Sequence, residues 1–211
     1  MIRMDLSFPL ATIAPTLDAG VLHVLAATTA GCTAAEVHRR LGRGSDEGVR
    51  KVLGRLVRQG VVLVDTPARY PIYQLNREHV AAPHIEALTK VRGEIVDRIR
   101  SHVAGWQFTP LHAGLFGSFA RGTADSESDI DVLVVRPADL DEADEDIWLS
   151  QLDRLDQHIE ALTGNAAQII DLTPATLDQM ATIADPLVDS WRADDIVLHG
   201  QPILDLLRRL R

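Results

Sequence analysis

The chain has 211 residues, of which 46% are hydrophobic and 24% are charged, and its formal net charge is −9 at pH 7. These proportions exclude a disordered or fibrous protein and are typical of a folded globular chain. No apolar run approaches the ~18 residues that a membrane span requires, and Asp5 and Pro9 interrupt the start of the chain, where a signal peptide needs an apolar core. We therefore expect a cytoplasmic protein with no membrane partner.

Charge is distributed unevenly along the sequence. Residues 1–82 contain ten Lys or Arg and seven Asp or Glu, a balance of +3, whereas residues 83–211 contain eleven and twenty-three, a balance of −12. The asymmetry predicts two modules with different partners, one able to contact phosphate and one that gathers carboxylates. The single cysteine, Cys32, excludes an internal disulfide, and the eight histidines lack the spacing of the common zinc motifs.

Three helices and a β-hairpin are predicted between residues 10 and 80. An apolar stripe from Leu17 to Leu25 has helical spacing. Two further helices are marked by residues suited to helix ends: the Thr33–Glu36 capping box and Gly42 for the second, and Ser45 and Gly60 for the third. The β-branched and aromatic segments Val61–Val64 and Tyr70–Leu75 then predict two strands joined by a turn.

This order of elements resembles the winged helix-turn-helix, a family of DNA-binding domains, over roughly residues 10–80. In that family the third helix enters the major groove and the hairpin contacts the DNA backbone. The resemblance implies that DNA is contacted by five cations on the third helix, just before it and in the hairpin turn: Arg43, Arg50, Lys51, Arg55 and Arg69. The alternative is that these cations form a solvated face of a module that dimerises or binds a protein.

Residues 83–106 are predicted to form a single linker helix. Pro83 suits its first turn, and apolar residues recur at helical spacing from Ile85 to Val103. This stripe would pack on both modules or form the seam of a homodimer, and both interpretations stay open. The predicted division of the chain is therefore a DNA-binding domain at residues 1–82, the linker helix, and a second domain at residues 107–211.

Two short motifs lie between apolar runs in the second domain. Gly117-Ser118 ends one run, and Asp129-Ile130-Asp131 opens the next run after ten intervening residues. Residues two apart on a strand point to the same face, so the two carboxylates are expected to lie close together. Two like charges in such proximity are costly unless a cation lies between them, and Mg²⁺ prefers oxygen ligands of this kind. The glycine would let a phosphate approach its backbone.

With these motifs the chain resembles the polymerase-β-like nucleotidyltransferase superfamily, whose signature joins Gly-Ser or Gly-Gly to a pair of acids. The string GSFARGTADSESDIDVLVV is similar to the minimal nucleotidyltransferases of prokaryotes, and the resemblance covers about residues 107–200. It implies an α+β fold in which a mixed β-sheet has helices packed on one face, preceded in this chain by the winged helix-turn-helix domain.

In that family two acids hold both metal ions that clamp a triphosphate, and a third acid on a neighbouring strand is a metal ligand or general base. The resemblance implies that Asp129 and Asp131 are catalytic metal ligands, with two Mg²⁺ ions and with ATP or another nucleoside triphosphate as substrate. Asp171, in an apolar segment about forty residues further on, is predicted as the third acid. The nucleotide contacts that the resemblance implies are Gly117, Ser118, Arg121 and Ser128.

The resemblance also bears on the acceptor of the nucleotidyl group. Minimal nucleotidyltransferases include antitoxins that adenylylate a toxin protein, and relatives modify tRNA ends, so a cognate toxin protein or a tRNA is implied as acceptor. An N-terminal DNA-binding domain favours a self-regulated toxin–antitoxin operon. The alternative function is a winged-helix transcription regulator whose transferase-like domain is catalytically inactive and senses a nucleotide.

Overall fold

The structure is a computed structural model that describes residues 3–66 and 69–209. The chain forms two compact units. The helical unit is Phe8–Arg92, and the sheet unit combines Gly93–Arg211 with the short segment Met1–Ser7. The chain therefore starts in the sheet unit, continues through the helical unit and returns to the sheet unit.

The predicted first domain, residues 1–82, differs from the helical unit at its start. Leu6 is 1% exposed, and the backbone N–H of Ser7 donates to the carbonyl of Ala124 at 2.9 Å. Contacts with residues more than a hundred positions away thus join the first residues to the sheet unit. No local pattern in the sequence indicates such a pairing.

The helical unit contains the three predicted helices, a short helix before them, the predicted hairpin and a final helix. The hairpin strands are antiparallel, and its turn residues Pro67 and Ala68 lie outside the described residues. The order of elements agrees with the prediction, while the winged helix-turn-helix assignment stays a prediction. The elements are α1 (Pro9–Ile13), α2 (Leu17–Ala26), α3 (Ala34–Leu41), α4 (Asp46–Arg58), β1 (Val62–Asp65), β2 (Ile72–Leu75) and α5 (Ala82–Thr89).

Helices α3 and α4 begin where their capping residues predict. The hydroxyl oxygen of Thr33 accepts the N–H of Glu36 at 3.2 Å, and the Glu36 carboxylate accepts the N–H of Thr33 at 2.7 Å. The hydroxyl oxygen of Ser45 accepts the N–H of Gly48 at 3.0 Å. These caps satisfy N–H groups that the first turn of a helix leaves without partners. The helices enclose a core that includes Val21, Leu25, Val37, Val49 and Leu53.

The prediction of one linker helix over residues 83–106 was wrong, because α5 ends and a second helix, α6 (Val91–Ala104), begins. The hydroxyl of Thr89 donates to the carbonyl of Glu86 at 2.8 Å. The N–H of Lys90 turns back to a carbonyl only three residues earlier, at 3.0 Å. A hydroxyl that occupies a helix carbonyl competes with the backbone hydrogen bond that would continue the helix.

The apolar stripe of α6 is buried within the single chain. Its buried members are Ile95, Val96, Ile99 and Val103. A homodimer seam along α6 would need these side chains to be exposed, so the structure disfavours that interpretation of the stripe.

The sheet unit surrounds a four-stranded mixed sheet, which confirms the α+β prediction for this part of the chain. After α6 its elements are β3 (His112–Phe116), α7 (Gly117–Arg121), β4 (Ile130–Val135), α8 (Glu142–Thr163), β5 (Ala167–Leu172), α9 (Pro174–Thr182), α10 (Pro186–Asp194), β6 (Ile196–Gly200) and α11 (Ile203–Arg209). The strands lie in the order β5-β4-β3-β6, with β4 and β5 parallel and the other neighbours antiparallel. Among the described residues, no helix is both long enough and apolar enough to cross a bilayer.

Helices pack on both faces of the sheet, so the prediction of helices on one face was wrong. On one face, Leu133 of β4 shares a core cluster with Leu177 of α9. On the other face, Nε1 of Trp148 in α8 donates to the Asp171 carboxylate in β5 at 3.2 Å. Apart from Asp131, strand β4 is an unbroken apolar run, which is typical of strands buried on both faces. An alternating pattern would have indicated a sheet covered on one face.

Candidate functional site

The turn at Gly117 and the acid pair lie together at one end of the sheet. Phe116, the last residue of β3, is paired with Asp131 of β4. Gly117 follows with a φ of +69°, a conformation that side chains with a Cβ rarely adopt. A methyl group added at Gly117 would collide with Oδ2 of Asp131. The backbone of the turn therefore approaches the carboxylate as closely as only a glycine allows.

The two acids have different surroundings. The side chain of Asp129 is 46% exposed, and Nη1 of Arg3 lies 3.7 Å from its Oδ1. Asp131 is half-buried, and its pKa is raised, first because burial removes water from the carboxylate and second because Asp129 is nearby; the charge of Arg121 opposes this rise. The pair therefore carries negative charge that its protein surroundings only partly compensate.

Asp171, the predicted third acid, lies on the opposite face of the sheet. In the parallel pair of β4 and β5, Asp131 is beside Gln168 and Val134 is beside Asp171. Because side chains alternate along a strand, Asp171 shares a face with Val134 and points away from Asp131. The structure therefore does not bring the three predicted acids together, and the role assigned to Asp171 needs correction.

Asp171 belongs instead to a cluster that links β5 to α8. Its carboxylate forms an ion pair with Arg136, which also pairs with Glu145 at 2.8 Å. The guanidinium of Arg136 lies 5.7 Å from the ring centroid of Trp148. The pKa of Arg136 is raised, chiefly by its hydrogen bond to Asp171. These contacts give the Asp171 carboxylate a structural role.

Gln168 occupies the position on β5 that shares a face with Asp131. Its exposed side chain ends in an amide, which carries no charge. Within residues 3–66 and 69–209, no group of three or more His, Cys, Asp or Glu side chains is arranged to hold a metal ion. Asp129 and Asp131 fit a divalent cation that also binds oxygens from a ligand, since hard cations prefer carboxylate oxygens. A site with three protein carboxylates does not fit.

Helix α7 places two further predicted residues near the acid pair. Ser118 directly follows Gly117 and is half-buried. Arg121 ends the helix, and its guanidinium forms an ion pair with Asp194 of α10. The positive charge of Arg121 acts on Asp131, as the pKa of that acid shows. Both side chains therefore lie on the element that begins at the glycine turn.

The hydroxyl of Ser128 serves the loop before the acid pair. It donates to Oδ1 of Asp125 at 2.9 Å and accepts the N–H of Asp125 at 3.0 Å. The first of these bonds is the main reason that the pKa of Asp125 is lowered. Both of these hydrogen bonds lie within the loop, and the nucleotide contact of Ser128 stays a prediction.

The five cations predicted to contact DNA each have a partner within the helical unit. The partners are Asp46 for Arg50 (2.6 Å), Glu47 for Lys51 (2.7 Å), Asp18 for Arg55, the Phe8 ring for Arg43 (4.6 Å to the centroid) and the Tyr70 ring for Arg69 (5.5 Å). Two cations of α4 are therefore paired with acids of the same helix. The net charge of the whole segment does not show this pairing. DNA phosphates would have to compete with these partners.

Arg3 and Gln168 are residues of the site that the sequence analysis missed. Gln168 has only a partial local indication: strand alternation puts it and Asp171 on opposite faces, but the register between β4 and β5 decides which of the two shares a face with Asp131. Asp171 falls on the other face of the same strand. Arg3 has no local indication in the sequence. The nearest residue that it contacts in the loop before Asp129 is Glu127, which is 124 positions away.

Comparisons with known proteins agree with the motif. The sequence matches the nucleotidyltransferase domain family over residues 71–177, which is slightly more than half of the 211 residues. The matched segment contains the glycine turn and the acid pair, and it starts just before strand β2. No sequence among curated proteins matches the chain.

Two solved structures are similar to part of the chain. One is a toxin–antitoxin crystal structure with AMP-PNP, at 19% identity and a TM-score of 0.32. The other is the toxin–antitoxin pair MntA–HpeT in a mutant form, at 18% identity and a TM-score of 0.33. Each similarity covers 56% of this chain and 82% of the other chain.

The raised pKa of Asp131 predicts a pH-dependent effect of Asp131→Asn in the presence of a chelator. At about pH 7 the variant should be more stable than the wild type, because it lacks a carboxylate whose ionisation is opposed in the folded state. The wild type regains this stability as the pH falls through the folded pKa of Asp131, so the difference shrinks until the pH is below the ordinary Asp pKa of ~3.9.

Urea unfolding monitored by tryptophan fluorescence measures this difference in the sheet unit, because the three tryptophans lie there: Trp106, Trp148 and Trp191. A difference in the free energy of unfolding that stays constant from about pH 7 to about pH 3 would contradict the assignment.

Asp171→Asn should have the opposite effect at neutral pH. The Asp171 and Arg136 side chains are only 16% and 18% exposed, so loss of their charge-assisted hydrogen bonds should lower the free energy of unfolding by about 1–3 kcal/mol. Asp139→Asn, which removes an exposed carboxylate, serves as the matched control and should stay within about 0.5 kcal/mol of the wild type. A stabilised Asp171→Asn variant would show that this acid is held in an unfavourable environment like that of Asp131.

Proposed function

Since the chain belongs to the nucleotidyltransferase domain family, we propose that its sheet unit transfers a nucleotidyl group from a nucleoside triphosphate to a hydroxyl of an acceptor. The observation that carries this proposal is the close approach of the Gly117 backbone to the Asp131 carboxylate, on which the charge of Asp129 also acts. Ligands for a cation thus adjoin a turn that a phosphate can approach. Catalysis at phosphorus depends on positioning and charge stabilisation of this kind.

The proposed roles follow from this placement. Asp129 and Asp131 would hold the Mg²⁺ ion, whose charge would neutralise oxygens of the triphosphate. The Gly117 turn, the Ser118 hydroxyl and the Arg121 guanidinium would bind the phosphates. The acceptor oxygen bonds to the α-phosphorus, the bond from that phosphorus to the bridging oxygen breaks, pyrophosphate leaves, and the acceptor proton passes to solvent.

The nucleotide and acceptor are the finer part of the proposal. We propose ATP as the nucleotide and a cognate toxin protein or a tRNA as the acceptor, on the basis of the resemblance to minimal nucleotidyltransferases. Asp171 is not proposed as a general base, because it faces away from Asp131 and is committed to Arg136. The acceptor must therefore lose its proton without help from that carboxylate.

A second candidate function is supported by a specific observation. Gln168 provides an amide where a third carboxylate would share the face of Asp131. The alternative proposal is therefore a unit that binds a nucleotide without transferring it and so serves as a sensor. Binding and transfer are separate measurements, so the two functions can be told apart.

Transfer is tested with the full-length protein, Mg²⁺, a cell lysate and each of the four nucleoside triphosphates labelled at the α-phosphate. We expect label on one protein or RNA species. Asp129→Asn and Asp131→Asn should each lower labelling by about 100-fold or more, because they remove charge that positions the reacting phosphate. Asp139→Asn, an equal change of charge at an exposed position, should leave labelling unchanged.

Two outcomes would contradict the transferase proposal. Equal labelling by the wild type and Asp131→Asn would show that the acid pair is not involved. Absence of label from any acceptor, together with retained nucleotide binding in equilibrium dialysis, would leave the sensor function in its place.

We further propose that the helical unit binds DNA. The support is the charge of residues 8–92, which contain eleven Lys or Arg and seven Asp or Glu, a balance of +4, and the exposure of the cations on α4, where the side chains of Arg50 and Lys51 are 59% and 76% exposed. Exposed ion pairs contribute about 0–1 kcal/mol, so their exchange for DNA phosphates costs little. The proposal assigns regulation of transcription to this unit.

Substitution Lys51→Gln tests the α4 face. If Lys51 contacts a phosphate, the slope of log binding constant against log salt concentration should fall by about one in magnitude, because one fewer counterion is released. Lys90→Gln provides the control, since Lys90 is an exposed lysine at the end of α5. Filter binding to double-stranded DNA measures the slopes. Equal slopes for Lys51→Gln and the wild type would contradict the assignment of this face.

A further inference from the structure

The segment of residues 3–7 is attached to the sheet unit next to the acid pair. The N–H of Met4 donates to Oδ1 of Asn165 at 3.0 Å, and the N–H of Ser7 donates to the carbonyl of Ala124 at 2.9 Å. The intervening Leu6 is buried. Backbone hydrogen bonds at both ends and a buried side chain in the middle therefore fix this segment in place.

Arg3 extends from the attached segment to the acid pair. Its Nη1 donates to the carbonyl of Glu127 at 3.3 Å and lies 3.7 Å from Oδ1 of Asp129. Asn165, which is fully buried, also donates to the carbonyl of Ser128 at 3.0 Å. The same asparagine thus joins the segment and the loop before Asp129, which limits where the Arg3 guanidinium can lie.

The charges of Asp129, Asp131 and Arg3 favour one divalent cation over two. The two acids contribute −2 and Arg3 contributes +1, so one divalent ion held by both acids already turns the sum of these three side chains and the ion positive. A second ion would meet the repulsion of Arg3 at Asp129. It would also lack a third protein carboxylate, because the neighbouring position is the uncharged Gln168.

Resting on the proposed function, we propose that Arg3 is a nucleotide-binding residue that takes the place of a second divalent cation. The protein then holds one divalent cation with Asp129 and Asp131, and Arg3 supplies further positive charge for the phosphates. A guanidinium repels cations and attracts phosphate. Its removal should therefore raise the affinity for the divalent cation and lower the affinity for the nucleotide.

The number of bound ions is measured by titrating the full-length protein with Mn²⁺ alone and following free Mn²⁺ by electron paramagnetic resonance. We expect the wild type to bind one Mn²⁺ that Asp131→Asn does not bind. Arg3→Gln should bind this ion about three- to tenfold more tightly, because a nearby positive charge is removed. Gln168→Glu, which adds a third carboxylate on the face of Asp131, should bind a second Mn²⁺.

The second measurement is equilibrium dialysis of α,β-methylene-ATP in the presence of Mg²⁺. Arg3→Gln should bind this analogue about tenfold more weakly than the wild type, which is the loss of one charge-assisted contact of about 1.4 kcal/mol. Arg3→Lys keeps the charge and should recover part of the affinity. Arg208→Gln, which removes a 76% exposed guanidinium on α11, should change neither affinity by more than about twofold.

The inference is overturned if the wild type binds no Mn²⁺ or binds two that are both lost in Asp131→Asn. It is also overturned if Arg3→Gln leaves either affinity unchanged. The labelling assay keeps the proposed function separate. Transfer by a protein that binds two Mn²⁺ overturns the role of Arg3 alone, whereas one Mn²⁺ and Arg3-dependent nucleotide binding without transfer overturn the transferase function alone.

Discussion

The close approach of the Gly117 backbone to the Asp131 carboxylate is the constraint on which the candidate site depends. Asp131 lies in β4, a strand whose other residues are buried, so the core fixes the backbone position from which its side chain reaches the glycine turn. A Cβ at position 117 would meet Oδ2 of this acid and push the carboxylate away from the turn. The same arrangement holds Asp131 close to Asp129 and half out of water, which is unfavourable for the charged form. Proteins accept such local conflicts mainly where a site requires them.

Strand alternation distributes the charged groups of the sheet between two different tasks. Asp131 and Asp171 lie on neighbouring parallel strands, yet their side chains point to opposite faces. Asp131 faces the glycine turn, where few partners compensate its charge. Asp171 faces α8, where Arg136 and Trp148 bind it. The same type of side chain therefore serves as a candidate ligand on one face and as a fixed structural contact on the other.

Local features of the sequence predicted the parts of the fold that short-range contacts determine. Short-range signals of this kind include the capping box at Thr33 and the motifs at Gly117 and Asp129, whose residues lie close together in the sequence. The structure contains the capping box in the predicted geometry. The face of Asp171 was not predictable in this way, because it depends on the register between β4 and β5. The attachment of Arg3 depends on contacts across more than a hundred residues, which no local pattern contains.

Whether a charged side chain can bind a ligand depends more on its own hydrogen-bond and ion-pair partners than on the net charge of its segment. The cations of α4 illustrate this, because Arg50 and Lys51 each have an acid four residues earlier, at a spacing that is visible in the sequence. Such pairs are exposed and weak, so they leave a phosphate able to compete. Arg136 is instead enclosed by Asp171 and Glu145, and its pairing is costly to break. Exposure of the pair therefore separates cations that remain available to a ligand from cations that the fold itself requires.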